Sequence, residues 1–252
     1  RALENAEMRA NEITHLVTVS CTGFGAPGFD LQMINKLAFD ANVYRTNIGF
    51  MGCHGAMNAL RVASGFCAQD QNARVLVNAT ELCSLHFQYG WQTDNLLANS
   101  LFADGSASIV LRSHEHDGDV SQGDGSAAPI SVANSRSWII PNTSEIMSWQ
   151  ITDNGFVMKL GSEIADLIHT YLPGFLIEWL STQDLALSDV AGWCVHPGGP
   201  RILDAVESSL NLHSTALTYS RAIFASCGNM SSPTVLFILQ EMIAHRVERP
   251  YV

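Results

Sequence analysis

The chain has 252 residues, of which 47% are apolar and only 15% charged, and its formal net charge is −11. That length and apolar content can bury a large core, as one big domain or two similar halves, and they exclude a disordered chain. The acidic balance argues against nucleic acid or an anionic membrane as the main partner, and no run of about 18 uncharged apolar residues predicts a transmembrane span.

Residues 1–12 read as the end of a helix. Ile13 to Cys21 are rich in β-branched residues and predict a strand, followed by a Gly-rich loop, Thr22–Gly28. Asp30 to Ala41 look helical. Turn-like, small residues then lead to Cys53, and helical spacing of Met57, Leu60, Ala63 and Ser64 predicts a helix running to Cys67. Ala73 to Ala79 form a continuous apolar run, the pattern of a strand covered on both faces. Leu96 to Ala103 read as helix or loop, and Ser106 to Leu111 as another buried strand. Residues 112–128 are a polar, Gly-rich connection. Strand character is expected again from Pro129 to Ile140 and from Val190 to Val195. Helices are expected over Gly161–Leu180, broken or kinked at Pro173, over Pro200–Leu210, and over Ser231–Arg246 with Pro233 in its first turn. Strands alternating with helices predict a layered α/β fold. Each half delivers a strand, a loop with reactive residues and a helix, which suggests an internal duplication.

Three loops carry the candidate chemistry. Cys53, in Gly52-Cys53-His54-Gly55, is expected at a helix N-terminus, where unpaired N–H groups and the helix dipole favour a nucleophilic thiolate. The competing reading is a buried packing thiol. His196, in Val195-His196-Pro197-Gly198-Gly199-Pro200, follows an expected strand, where α/β folds place ligands; it could equally cap a turn. Asn229, in Gly228-Asn229-Met230-Ser231-Ser232, could hydrogen-bond a substrate carbonyl or cap the helix that follows. Gly228 would let the backbone pass close to a ligand. The six cysteines, Cys21, Cys53, Cys67, Cys83, Cys194 and Cys227, form no CxxC pair and fit reduced thiols in a cytoplasmic protein. Arg45, Arg61 and Arg201 are candidate phosphate contacts. His114-Glu115-His116-Asp117 lies in the polar connection without a second cluster and reads as a solvated loop, so no metal site is expected. Glu81 reads as a structural carboxylate. Trp91, Trp138, Trp149 and Trp179 read as packing residues.

These stretches, in this order and at this spacing, resemble the type III polyketide synthases, the chalcone and stilbene synthase family. Arg74-Val75-Leu76-Val77 and Leu101-Phe102-Ala103-Asp104-Gly105 add to the likeness. The resemblance implies the thiolase-like αβαβα fold of two duplicated α/β halves: residues 1–112 with the nucleophile, a connecting loop at 113–128, and residues 129–252 with the His and Asn. It also implies that both ends are incomplete. By the same resemblance Cys53 loads the acyl group, while His196 and Asn229 serve decarboxylation and the oxyanion. Phe102 is a gatekeeper of the substrate cavity, and the second gatekeeper position falls at Met158, a departure from the family's Phe. Cys21, Cys83 and His86 stand where the plant enzymes often carry threonines, Ala26 where a Met reaches into the partner subunit, and Ser231 joins the substrate-binding set. The stretch Glu81–Phe87 looks bacterial, similar to enzymes making alkylpyrones or alkylresorcinols. The implied substrates are acyl-CoA and malonyl-CoA, with no cofactor, in a homodimer. The alternatives are a fatty-acid condensing enzyme of the ketoacyl-carrier-protein synthase type and an inactive, truncated dimerisation unit.

Overall fold

The computed structural model describes residues 1–113 and 130–252, and the chain divides into two units. The first comprises Arg1–Glu81, Gly105–Ser135 and Ser231–Leu236; the second comprises Leu82–Asp104, Arg136–Met230 and Phe237–Val252.

The first unit is built on a mixed sheet of β1 (His15–Ser20), β2 (Tyr44–Gly49), β3 (Arg74–Glu81) and β4 (Gly105–Arg112), in the order β2-β1-β3-β4. β1 lies parallel to both β2 and β3, and β4 closes the edge antiparallel to β3. Leu16, Val17, Val19, Val75 and Val77 are almost wholly buried, as continuous apolar runs in interior strands require. α1 (Ala2–Asn5) is a single turn, so the expected N-terminal helix is short. α2 (Phe29–Leu37) follows the Gly-rich loop, and α3 (Gly55–Gln69) lies against the sheet. The buried stripe of α3 is Gly55, Ala56, Ala59, Leu60 and Ala63, small residues that allow close approach; Met57 faces outward. β2 departs from the turn expected before Cys53. Its residues are largely exposed, so it shows no apolar alternation.

The second unit contains α4 (Thr93–Leu101), a hairpin of β5 (Met147–Thr152) and β6 (Gly155–Leu160), α5 (Ile164–Ser181), α6 (Pro200–Ser209) and α7 (Thr218–Cys227). α8 (Thr234–Ala244) runs into it from residues 234–236. Leu176, Leu180, Val190, Trp193, Leu203, Val206 and Leu217 form one core and Ile223, Met230, Ile238 and Met242 another. Three expectations are corrected here. Residues 130–140 form no strand; the strands come later, around the turn at Asp153-Asn154 and Gly155 (φ 107°). Pro173 does not break α5, whose downstream residues Leu176 and Leu180 are held in the core. Residues 190–195 are extended and pair with residues 250–252 through an isolated bridge rather than a ladder. Cys194 N–H donates to the Val252 carbonyl (2.6 Å) and Val252 N–H to that of Gly192 (2.9 Å). No described helix is long and apolar enough to cross a membrane.

Candidate active site

After β2 the chain turns sharply. Phe50 and Gly52 both adopt positive φ (57° and 64°), and one 3-10 turn, Gly52–His54, feeds straight into α3. Cys53 therefore sits at the opening of that helix, as its sequence context predicts. Gly55 seats the helix start on β1: a Cβ there would lie 2.7 Å from Val19 Cγ1. The Ser231 hydroxyl hydrogen-bonds the Cys53 sulfur, and Cys21 is close enough for its charge to be felt there. Cys21 itself is buried, with its Sγ 3.7 Å from the Gly52 carbonyl.

Beneath this cluster lies Glu81, wholly buried at the end of β3. Its Oε1 accepts from Ser232 Oγ (2.7 Å), and its Oε2 accepts from Thr22 Oγ1 (2.9 Å) and the Cys21 N–H (2.8 Å). The carboxylate thereby ties the end of β1 to the Ser231–Ser232 segment. Ala26 lies on the exposed loop beyond Thr22. Among the candidate phosphate contacts, Arg45 is committed to Asp30 at 2.6 Å and Arg61 donates to Ser135 at 3.0 Å, while Arg201 is exposed on α6.

The expected protonation of Cys53 is corrected. Its thiol is pushed up to about 11, first by burial and then by the charges of Cys21 and Glu81; the Ser231 hydrogen bond opposes this without reversing it. The resting group is a thiol, not a thiolate. The same cause raises Cys21, with Glu81 adding to it.

In the second unit, His196 lies in the loop before α6. Both ring nitrogens are sheltered from solvent and have no hydrogen-bond partner among the described residues. Burial pushes the imidazole down to about 4, so it is neutral near pH 7. Asn229 is 1% exposed, and its Nδ2 donates to the Gly198 carbonyl (3.4 Å). It joins the His196 loop rather than capping α8, which begins at Thr234. Its backbone is clamped on both sides, its N–H donating to Leu101 O (2.8 Å) and its carbonyl accepting from Ala103 N–H (2.9 Å). Gly228 takes φ 72° to permit this approach: a Cβ there would lie 3.2 Å from both Ala103 Cβ and Leu101 O.

Phe102, bridged to Asn229 through the backbone, borders a cavity of about 110 Å³. Cys83, His86 and Met158 line it too, so four of the expected substrate-binding residues share one wall. The His86 ring stacks on Phe156 (4.1 Å, 7°), and its Nδ1 accepts the Phe156 N–H at 3.1 Å. Trp149 and Phe156 also line it. Sequence reasoning missed both as site residues; the turn residues Asn154-Gly155 between half-exposed alternating segments were the available signal. The structure thus gathers Cys53, Cys21 and Ser231 in the first unit, and His196, Asn229, Phe102, Met158, Cys83 and His86 in the second. The His114–Asp117 stretch and the 113–128 connection lie almost wholly outside the described residues. Among the described residues no group of His, Cys, Asp or Glu is placed to hold a metal ion, and no disulfide joins the six cysteines.

Residues 1–115 match the N-terminal domain of the chalcone and stilbene synthases, and residues 131–250 match their C-terminal domain. The chain belongs to the chalcone and stilbene synthase family. Among its relatives is a 1,3,6,8-tetrahydroxynaphthalene synthase of Streptomyces peucetius subsp. caesius, 34% identical over 96% of this chain and 62% of that protein. Another is the alpha-pyrone synthesis polyketide synthase-like Pks18 of Mycobacterium tuberculosis, 30% identical over 96% of this chain and 61% of that protein. The crystal structure of PKS-I from the brown alga Ectocarpus siliculosus superposes with a TM-score of 0.92 at 31% identity, covering 98% of this chain and 63% of that one. That of the tetrahydroxynaphthalene synthase of Streptomyces coelicolor A3(2), a bacterial type III polyketide synthase, gives 0.87 at 31%, covering 97% and 67%. This family member has their thiolase-like α/β fold. It spans about three fifths of the length of the curated relatives it matches.

Proposed function

We propose that the chain carries the catalytic residues of a type III polyketide synthase. The enzyme loads an acyl-CoA starter on Cys53, extends it by repeated decarboxylative condensation with malonyl-CoA, and cyclises the product to a pyrone, resorcinol or chalcone-like ring. The observation that carries this reading is Cys53 at the opening of α3, hydrogen-bonded to Ser231, in a chain that matches the family over both halves. The relatives named for tetrahydroxynaphthalene and alpha-pyrone synthesis support it.

The protonation states bear on the mechanism. With the thiol at about 11 and the imidazole at about 4, the resting pair is neutral. His196 takes the Cys53 proton as the sulfur attacks the starter thioester, then returns it to the departing coenzyme A thiolate. The charge on the carbonyl oxygen is held by Asn229 Nδ2 and the His196 ring N–H. Malonyl-CoA next loses carbon dioxide, and the same donors hold the enolate oxygen. The enolate carbon attacks the acyl thioester, and the Cys53 thiolate leaves, ready for the next transfer. Phe102, Met158, Cys83 and His86 line the space for the growing chain, with Cys21 and Ser231 beside the nucleophile. Burial of these groups suits the chemistry, because water would hydrolyse the thioesters. Coenzyme A thioesters enter as substrates, and no cofactor takes part. The working form is a cytoplasmic homodimer with the Ala26 loop against the partner.

The test is product mass spectrometry on the full-length protein with malonyl-CoA and a ladder of acyl-CoA starters, beside a Cys53→Ala control. Pyrones or resorcinols that require Cys53 are expected. Polyketide formed equally by Cys53→Ala would remove the nucleophile assignment, and turnover only with carrier-protein thioesters would reassign the enzyme to fatty-acid condensation.

A further inference from the structure

The cavity of the second unit contains one polar group with no assigned task. Trp149 on β5 lies directly opposite Met158 on β6. Its indole stands edge-on to Phe156 (5.8 Å, 86°) and to His86 (5.6 Å, 83°), and tilted to Phe102 (6.2 Å, 60°). The ring is thus fixed on several sides by other rings. Its Nε1 is sheltered from solvent and has no hydrogen-bond partner among the described residues.

The neighbouring polar side chains are otherwise engaged. Gln88 Nε2 donates to the carbonyls of His86 (3.1 Å) and Phe156 (3.3 Å), and Asn99 Nδ2 donates to the Gln88 carbonyl (2.8 Å). His86 Nδ1 accepts the Phe156 N–H. These bonds brace the wall, whereas the Trp149 N–H braces nothing. A buried donor left unpaired is destabilising, and an indole N–H can only donate. What satisfies it must bring an acceptor, and an indole fixed by its neighbours selects where that acceptor sits.

We propose that Trp149 is a specificity residue whose indole N–H donates a hydrogen bond to a keto oxygen of a β-ketoacyl thioester seated against Phe102, Met158 and Trp149. The proposal rests on the polyketide synthase reading and deepens it. A starter acyl group has no keto oxygen at its β-carbon, whereas the chain gains one at each extension. Trp149 therefore distinguishes an extended chain from an unextended one and favours retaining it for the next round.

The test measures binding apart from turnover. Full-length Cys53→Ala protein, unable to form the acyl-enzyme, is titrated calorimetrically with acetoacetyl-CoA and with butyryl-CoA, which has the same carbon count without the keto oxygen. Trp149→Phe is then added; it retains an aromatic ring and removes the N–H. The expected result is about tenfold weaker binding of acetoacetyl-CoA, about 1.4 kcal/mol, with butyryl-CoA unchanged within twofold. Equal losses for both ligands would make Trp149 a packing residue and overturn the proposal, as would no loss for either. If butyryl-CoA binds and acetoacetyl-CoA shows no dependence on the indole N–H, the polyketide reading stands and this proposal fails. If neither thioester binds the parent protein, the functional reading itself fails and carries this proposal with it. In Trp149→Phe with Cys53 restored, products shortened by one or more extensions at unchanged starter loading are expected; an unchanged product spectrum counts against the proposal.

Discussion

Replacing Glu81 should separate hydrogen bonding from charge beneath the nucleophile. The carboxylate is wholly buried and accepts from Ser232 Oγ, Thr22 Oγ1 and the Cys21 N–H at 2.7–2.9 Å. Glu81→Ala leaves these three donors, and the Ser20 hydroxyl at 3.4 Å, facing a cavity. Each unsatisfied buried donor costs about 1–3 kcal/mol, and the hydroxyls can partly redirect, so a loss of about 3–6 kcal/mol is expected. That is a large part of the roughly 5–15 kcal/mol that holds a native protein together. Glu81→Gln behaves differently. With its amide nitrogen in the place of Oε1, the Ser232 hydroxyl turns from donor to acceptor, and the remaining oxygen keeps Thr22 and Cys21. The bonds become neutral, which costs about 1–2 kcal/mol, and a buried charge is removed. Urea unfolding of the full-length protein, with the slope compared between variants, measures both. Glu81→Ala within about 1 kcal/mol of the parent, or Glu81→Gln as damaging as Glu81→Ala, would refute the reasoning. The charge has its own readout. Because Glu81 helps raise the Cys53 and Cys21 thiols, Glu81→Gln lowers both, and alkylation of the Cys53 peptide at fixed alkaline pH should quicken. Slower alkylation would contradict the electrostatic assignment.

Three further outcomes are expected. His196 falls from an ordinary value of 6.5 to about 4, so the unfolded chain binds more protons in that interval; stability should be level above about pH 6.5 and fall by about 3 kcal/mol as pH drops toward 4. His196→Gln should lose that part of the acid sensitivity, and unchanged sensitivity in chemical-denaturation curves between pH 4 and 7 would show that the ring is not buried neutral. Gly55→Ala should cost about 1–3 kcal/mol by thermal unfolding, because the new methyl meets Val19 Cγ1 at 2.7 Å in a wholly buried position; a neutral result would mean that α3 is not seated on β1 as described. Gly228→Ala combines a φ of 72° with contacts of 3.2 Å to Ala103 and Leu101, and about 1–3 kcal/mol should be lost along with Asn229-dependent activity, measured by unfolding and product formation on the same preparation.

How legible each element was in the sequence followed from what covers it. β1 and β3 announced themselves because interior burial leaves no polar alternation to confuse them, whereas Ser106–Leu111, expected as a buried strand, is the edge strand β4, none of whose residues is fully buried. β2 did not, since Tyr44, Arg45 and Asn47 of this edge strand stay exposed. Val190–Val195 looked like a strand, and its backbone is indeed extended, held beside Pro250, Tyr251 and Val252. The three candidate site residues, Cys53, His196 and Asn229, were visible because each lies in a loop with a helix behind it. Glu81 and Trp149 gained their roles from contacts no local pattern encodes: Ser232 is 151 residues from Glu81, and Trp149 meets His86 across the fold of its own unit.

Protonation was the least legible property, for a quantitative reason. The argument for a Cys53 thiolate was local: a helix N-terminus favours a negative charge by about 0.3–1 kcal/mol, less than one pKa unit. Burial is the sum of every neighbour that excludes water, and with the added charges of Cys21 and Glu81 it carries the thiol to about 11 against the Ser231 hydrogen bond. The same exclusion of water holds His196 neutral. In the proposed mechanism, a thiol that resists ionisation is deprotonated during attack rather than before it. On the proposed function, activation of Cys53 is then coupled to occupancy by substrate, and slow alkylation of the substrate-free protein near neutral pH is the expected outcome; rapid alkylation there would contradict it.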